Sequence, residues 1–312
     1  MSLAVGVDIG GTKVAGGVVD ESGAILARTR RDTPGHDATE TEDVIVDVVA
    51  ELAAAHDVAA VGIGAAGWIG ADRGTVLFSP HLAWRNEPLR EELSKRIDVP
   101  LTVENDANAA AWAEYRFGAA RGREVVVCVT LGTGIGGSVV IGGAVYRGAF
   151  GLAGEFGHMT IVPDGRRCAC GNSGCWEMYA SGRALARDAQ ELARESPVTA
   201  ARMLERAGSV DALLGPLVTA AALDGDTTAV SLCTNMGRWL GRGLANLAAV
   251  FDPSIFVIGG GVSEAGDLML IPARTEFSHT LTGRGYRPEA EIALAGLGAD
   301  AGLIGAADLA RR

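Results

Sequence analysis

The chain has 312 residues, 48% hydrophobic and 21% charged, enough to bury the core of one large or two medium domains. Its net charge of −11 argues against general nucleic-acid binding, because no basic field exists to displace phosphate counterions. A small phosphate ligand held by backbone amides and a metal ion stays open. No apolar run reaches bilayer length and no signal-peptide pattern precedes the first strand-like stretch, so a soluble cytoplasmic protein is expected.

Residues 3–9, 14–20 and 24–29 read as short strands separated by glycine-bearing turns. Residues 41–55 read as an amphipathic helix with Val44, Val48, Leu52 and Ala55 on one stripe. Residues 58–65 form a buried strand, 87–97 a helix, 101–104 a strand and 106–117 an alanine-rich helix stopped by Gly118. The pattern then restarts, with strands over 124–131 and 135–141 around a second glycine turn. Setting Val7-Asp8-Ile9-Gly10 over Val129-Thr130-Leu131-Gly132 shows a weak internal repeat. A helical stretch from about 177 to 250 follows, with 226–250 its most regular member. A strand over 254–258, a further helix, a strand over 291–295 and a helix over 300–309 complete the chain. The alternation indicates an α/β fold.

The glycine turns point to phosphate. In Asp8-Ile9-Gly10-Gly11-Thr12-Lys13 the glycines permit a tight turn and close ligand approach. Freed amides, the Thr12 hydroxyl and Lys13 can meet phosphate oxygens, and Asp8 suits a Mg²⁺ ion and its waters. Gly132-Thr133-Gly134-Ile135-Gly136-Gly137 has the glycine spacing of a dinucleotide fingerprint, but a β-like run follows it where a helix is required. Gly259-Gly260-Gly261 ends an apolar strand, and three consecutive glycines suggest a flat ligand against them.

Glu104-Asn105-Asp106-Ala107-Asn108 lies where a strand ends and a helix begins, the place where open α/β sheets bind ligands. Asn105 or Asp106 can cap the helix. The other is left over, and Asp106 can accept a proton from an attacking hydroxyl that Asn105 orients. Cys168, Cys170 and Cys175 with His158 form a complete tetrahedral zinc set, closed and therefore structural. Glu155 and Glu177 flank it. Glu177 suits either a helix start or a sugar hydroxyl. Cys128 and Cys233 lie in apolar segments and read as small buried hydrophobes. Five cysteines, three of them clustered, fit metal binding in a reducing compartment better than disulfides.

Five motifs together, in order, resemble the ROK family (repressors, open reading frames, kinases) and its bacterial glucokinases. They are Asp8-Ile-Gly-Gly-Thr-Lys13, Glu104-Asn-Asp-Ala-Asn108, Leu131-Gly-Thr-Gly134, Glu155-Phe-Gly-His158 and Cys168-x-Cys-Gly-x-x-Gly-Cys-x-Glu177. The resemblance covers essentially the whole chain. It implies an actin-like or hexokinase-like (ribonuclease H-like) fold of two α/β domains closing on a cleft. The smaller domain is expected over 1–116 plus 299–312, and the larger, carrying zinc, over 117–298. It implies ATP-dependent phosphorylation of glucose to glucose 6-phosphate, with Mg²⁺ accompanying ATP and a structural zinc. By the same resemblance Asp106 is the general base, and Gly67, Asn105, Glu155, His158 and Glu177 join it at the sugar. Asp8, Gly10, Gly11, Thr12, Lys13, Gly132, Thr133, Gly134, Gly260 and Gly261 serve the nucleotide. The proline often found before that sugar-site glycine is Ala66 here. A dimer or tetramer is typical of such proteins. A kinase for N-acetylmannosamine, fructose or mannose remains an alternative, and a sugar-responsive repressor a remoter one.

Overall fold

In the computed structural model, which describes residues 2–34 and 37–312, the first part of the chain holds eight strands and three helices. They are β1 (Leu3–Ile9), β2 (Lys13–Val19), β3 (Ile25–Asp32), α1 (Ala38–Ala53), β4 (Val58–Ala65), β5 (Trp68–Ile69), β6 (Val76–Phe78), β7 (Arg85–Glu87), α2 (Leu89–Ser94), β8 (Leu101–Asn105) and α3 (Asp106–Arg116). There follow β9 (Val125–Leu131), β10 (Ile135–Ile141), β11 (Ala144–Val145), α4 (Glu177–Ala180), α5 (Gly182–Glu195), α6 (Ala201–Ala207), α7 (Gly215–Leu223), α8 (Thr227–Phe251), β12 (Ile255–Gly259), α9 (Asp267–Thr280), β13 (Glu291–Leu294) and α10 (Ala301–Ala310).

Two five-stranded sheets carry the internal repeat. Their orders are β3-β2-β1-β4-β8 and β11-β10-β9-β12-β13. Position by position, β1 corresponds to β9, its hairpin return β2 to β10, and the parallel neighbour β4 to β12. A third sheet, β5-β6-β7, is small and antiparallel, and the sequence reading did not anticipate it.

The chain divides into two compact units: the chain up to Glu124 with Ser138–Gly154 and Ala295–Arg312, and Val125–Gly137 with Glu155–Leu294. Residues 117–124 and 138–154, expected in the larger domain, thus belong to the first unit, and the C-terminal return starts at Ala295. Buried side chains explain this. The Glu114 carboxylate on α3 accepts from the backbone N–H groups of Ala119, Gly296 and Leu297 at 2.9, 3.0 and 2.8 Å. Arg147, in the 138–154 segment, is ion-paired to buried Glu104 at 2.6 Å.

In the first unit, β1 alternates large and small residues, and each set selects a layer. Val5, Val7 and Ile9 enter one core with Ile45, Val48, Val49 and Leu52 of α1. That apolar stripe runs from Thr41 to Leu52 and excludes Ala55, which lies beyond the end of the helix. Ala4, Gly6 and Asp8 face α10, where small residues let backbones approach. A Cβ added at Gly6 would lie 2.0 Å from the Leu303 carbonyl oxygen, and one at Gly62 of β4 would lie 1.9 Å from that of Ala306. Buried Asp308 of α10 accepts from Trp112 Nε1 at 2.8 Å and Arg116 Nε at 3.2 Å, locking α10 to α3. Burial works against its charge, yet Trp112 with Arg311 and Arg312 holds its carboxyl below the ordinary range.

In the second unit α8 is the spine. Asp226 caps it by accepting from the N–H groups of Thr228 and Ala229. Gly237 and Gly241 bring it against α9, where added Cβ atoms would lie 2.3 Å from the carbonyl oxygens of Met269 and Ala273. Cys128 and Cys233 are buried, as expected of small hydrophobes.

Candidate active site

β1, β4 and β8 are parallel neighbours, and Ile9, Ala65 and Asn105 lie in register across them. Their carboxyl ends therefore present three turns along one edge: Gly10-Gly11, Ala66-Gly67 and Asn105-Asp106. In the first turn Gly10 N–H donates to the Lys13 carbonyl at 3.0 Å, and the Thr33 hydroxyl donates to Gly10 O at 2.8 Å. Thr12 is exposed. Asp8 lies beneath α10, where a Cβ on Gly302 would come within 3.0 Å of its carboxylate. Burial pushes its carboxyl above the ordinary range, and the Lys13 charge opposes this.

The second turn is fixed by the small sheet. The Ser79 hydroxyl donates to Ala66 O at 2.6 Å. Gly67 has φ 151, and a Cβ there would meet the Phe78 carbonyl oxygen at 2.4 Å, so only glycine fits. Ala66 stands where proline is often found, and its N–H donates to Ile9 O at 3.1 Å, a bond proline lacks.

At the third turn the cap question resolves. Asn105 is the N-cap, accepting from Asn108 N–H at 3.0 Å, and Asp106 is the first helical residue. Asn105 Nδ2 donates to Gly67 O and to Asp106 Oδ1, each at 3.0 Å, and Ala107 N–H donates to Asp106 Oδ1 at 2.9 Å. The carboxylate is thereby oriented by two donors and tied to the Gly67 turn.

The second unit repeats the theme at the ends of β9 and β12. Gly132 N–H donates to Gly134 O at 3.0 Å, and the start of α5 closes on this turn through Gly182 N–H to Gly132 O at 2.8 Å. Thr133 is exposed. Gly260 has φ 85, and a Cβ there would lie 2.4 Å from the Leu131 carbonyl oxygen. Its close approach is to the neighbouring strand, which by itself requires glycine at this position. No atom lies within 4 Å of a Cβ placed on Gly261.

His158, Cys168, Cys170 and Cys175 come together with their ligand atoms all within 4.8 Å of one another. Cys170 Sγ and Cys175 Sγ are 3.6 Å apart, and Cys168 Sγ is 3.7 Å from His158 Nδ1. Those separations suit the edges of a tetrahedron with metal–sulfur bonds of about 2.3 Å. Burial pushes the Cys168 thiol up to about 12 and raises that of Cys175, so a cation is what would let both ligate as thiolates. The frame is rigid. Gly174 (φ 77) packs on Val162 O, and Trp176 N–H donates to Met159 O at 2.9 Å. The buried Trp176 ring lies flush against α8, leaving room only for Gly243, and its Nε1 donates to Trp239 O at 2.9 Å.

Glu177 opens α4 and is mostly buried, with Oε1 3.8 Å from His158 Nδ1 and accepting from Cys168 Sγ at 3.1 Å. His158 Nε2 turns the other way, 3.9 Å from Glu155 Oε2. Glu177 also closes on the second glycine turn, since a Cβ on Gly134 would lie 2.4 Å from its Oε2.

The ROK family profile matches residues 4–312. The chain belongs to the ROK family. A glucokinase of Streptomyces coelicolor is 49% identical over 316 residues, covering 100% of this chain and 98% of its own. A glucokinase of Thermotoga maritima is 36% identical over 309 residues, covering 98% and 96%. A ROK family glucokinase from Streptomyces griseus, crystallised with glucose and AMPPNP, is 53% identical, covers 99% of each chain and superposes with a TM-score of 0.89. The fold is accordingly the actin-like, hexokinase-type α/β fold. Sequence reasoning missed the supports of the ROK motifs: Ser79, Ser138, Arg147 and the Trp176–Gly243 seat. Only Trp176, inside the cysteine motif, stands where a signal could have flagged it.

Proposed function

We propose that this protein is a glucokinase, transferring the terminal phosphoryl group of ATP to glucose to give glucose 6-phosphate. The observation that carries the reading is the full-length likeness to the Streptomyces griseus enzyme holding glucose and an ATP analogue. The three oriented turns in the first unit support it.

Asp106 is assigned as general base. Its carboxylate, oriented by Asn105 and Ala107, accepts the proton of the attacking sugar hydroxyl as the new O–P bond forms and the bond to the ADP oxygen breaks. Gly67, Asn105, Glu155, His158 and Glu177 are assigned to the sugar hydroxyls. Backbone amides of the Gly10-Gly11 and Gly132–Gly134 turns, with Thr12, Lys13, Thr133, Gly260 and Gly261, are assigned to the nucleotide. Mg²⁺ accompanies ATP in such transfers and neutralises phosphate charge. Asp8 fits it, as a desolvated carboxylate beside the first glycine turn.

The Cys₃His set is assigned to a structural zinc that holds the 158–177 loop. With zinc bound, Cys168 would ligate as a thiolate, and Glu177 Oε1, which its thiol engages here, would be available to a sugar hydroxyl. A cysteine cluster suited to metal and ATP as donor support a cytoplasmic protein.

The test is a coupled assay of the purified protein with ATP and Mg²⁺ against glucose, mannose, fructose and N-acetylmannosamine. Glucose should give the highest kcat/KM, and a clear preference for another hexose overturns the substrate assignment. Asp106→Ala should lower kcat by about 10²–10⁴-fold. Near-normal turnover would remove Asp106 from the role of base.

A further inference from the structure

Behind the Asn105-Asp106 junction lies a buried polar network that none of the assignments above uses. Glu104, the last residue before that junction, has a side chain only 4% exposed. Its Oε2 accepts from Arg147 Nε at 2.8 Å and Nη2 at 2.6 Å, a forked charge-assisted pair, and Arg73 Nε stands 3.7 Å away. Its Oε1 accepts from Asn105 N–H at 3.1 Å and Asn108 Nδ2 at 3.0 Å. Asn108 is buried, and its Oδ1 accepts from the Ser138 hydroxyl at 2.7 Å. Asn108 N–H in turn holds Asn105 Oδ1, and Asn105 Nδ2 holds Asp106 Oδ1. An unbroken chain of bonds thus runs from Arg147 to the carboxylate of Asp106.

We infer that Glu104 and Arg147 are positioning residues for phosphoryl transfer, fixing the Asn105-Asp106 junction through a buried ion pair. A carboxylate buried in the first unit needs a partner, and Arg147 supplies it from the segment that leads in sequence to the Glu155–His158 motif. Removing either partner leaves an uncompensated charge or an unmet acceptor beside Asn105. The junction then shifts, and Asp106 with it. Geometry at a reacting hydroxyl is steep: about 1 Å of misplacement costs on the order of 10²-fold.

The inference rests on Asp106 being the base, so wild type and Asp106→Ala are measured first. If wild type does not phosphorylate glucose, or Asp106→Ala is as active, the functional reading falls and not this one. Given an active wild type, Glu104→Gln and Arg147→Met should each lower kcat by about 10–100-fold, beyond whatever rise in KM for glucose the moved Asn105 brings. Arg147→Lys keeps the charge but loses the fork and should recover part of the turnover lost in Arg147→Met. The double variant should be no slower than the slower single variant, because both break one link. All are assayed well below each variant's Tm. A lower Tm with kcat within twofold of wild type overturns the inference, as does a loss confined to KM. If Glu104→Gln does not fold, the two Arg147 variants decide, since that side chain is 24% exposed on a loop.

Discussion

Gly134→Ala separates the stability of this protein from its chemistry. Gly134 is absent from the left-handed glycines, so alanine fits its backbone. The added methyl would meet Glu177 Oε2 at 2.4 Å, and the next nearest atom is Cδ of the same side chain at 3.6 Å. Ordinary contact requires about 3.5 Å, so the carboxylate must withdraw by about 1 Å. Glu177 is the flexible end of a side chain, so the fold yields at little cost, and alanine trims unfolded-state freedom by up to about 1 kcal/mol. Thermal unfolding should therefore stay level or rise slightly. A sugar ligand displaced by about 1 Å should cost about 10²-fold in kcat/KM for glucose, or about 2.7 kcal/mol. The assay is a glucose titration of wild type and variant at saturating ATP, beside a thermal melt and metal analysis of both. A kcat/KM within threefold of wild type, with an intact melt, would refute the placing of Glu177 on the sugar.

Metal analysis of the purified protein should find about one zinc per chain, and chelation should lower Tm and glucose affinity together; full activity from metal-free protein would end the structural-zinc assignment. Glu42 is pushed up to about 6 by burial, with Glu87 and Glu92 adding to it. The folded state therefore holds a proton that the unfolded chain has lost between about pH 4.5 and 6, and stability falls as pH rises through that window. Glu42→Gln should thus stabilise at pH 7–8 by about 0.5–1 kcal/mol after solvent screening, with no gain below about pH 4.5, as read from urea melts at both pH values. Equal gains at both would remove the charge explanation. Gly62→Ala forces a methyl onto the Ala306 carbonyl and should cost about 3 kcal/mol in a denaturant melt. A loss below about 0.5 kcal/mol would show that α10 can slide away.

What the sequence made legible follows from how local each signal is. Alternation along β1 and the long pattern of α8 span enough residues to declare their period, and β4 falls on Val58–Ala65 as expected. The candidate metal ligands lie within a short stretch of chain, so their meeting needed no tertiary knowledge. β5, β6 and β7 have two or three residues each, too few to show any period. Asp72 sets their turn by accepting from the N–H groups of Gly74 and Thr75. Arg147 pairs with Glu104 across 43 residues, and nothing near either one announces the other. The choice between Asn105 and Asp106 as cap was open because both side chains can do it; the bonds of Asn105 to Asn108 and Gly67 decide it.

The glycine-floored seat of α10 has a consequence for synthesis. The strands that α10 covers, β1 and β4, end at Ala65, whereas α10 begins at Ala301, so they are synthesised long before it. Until α10 has been made, the small-residue face of β1 and β4 has no lid. That face stays open while the residues between β4 and α10 are made, and a nascent chain stalled short of Ala301 would offer it to chaperones and proteases.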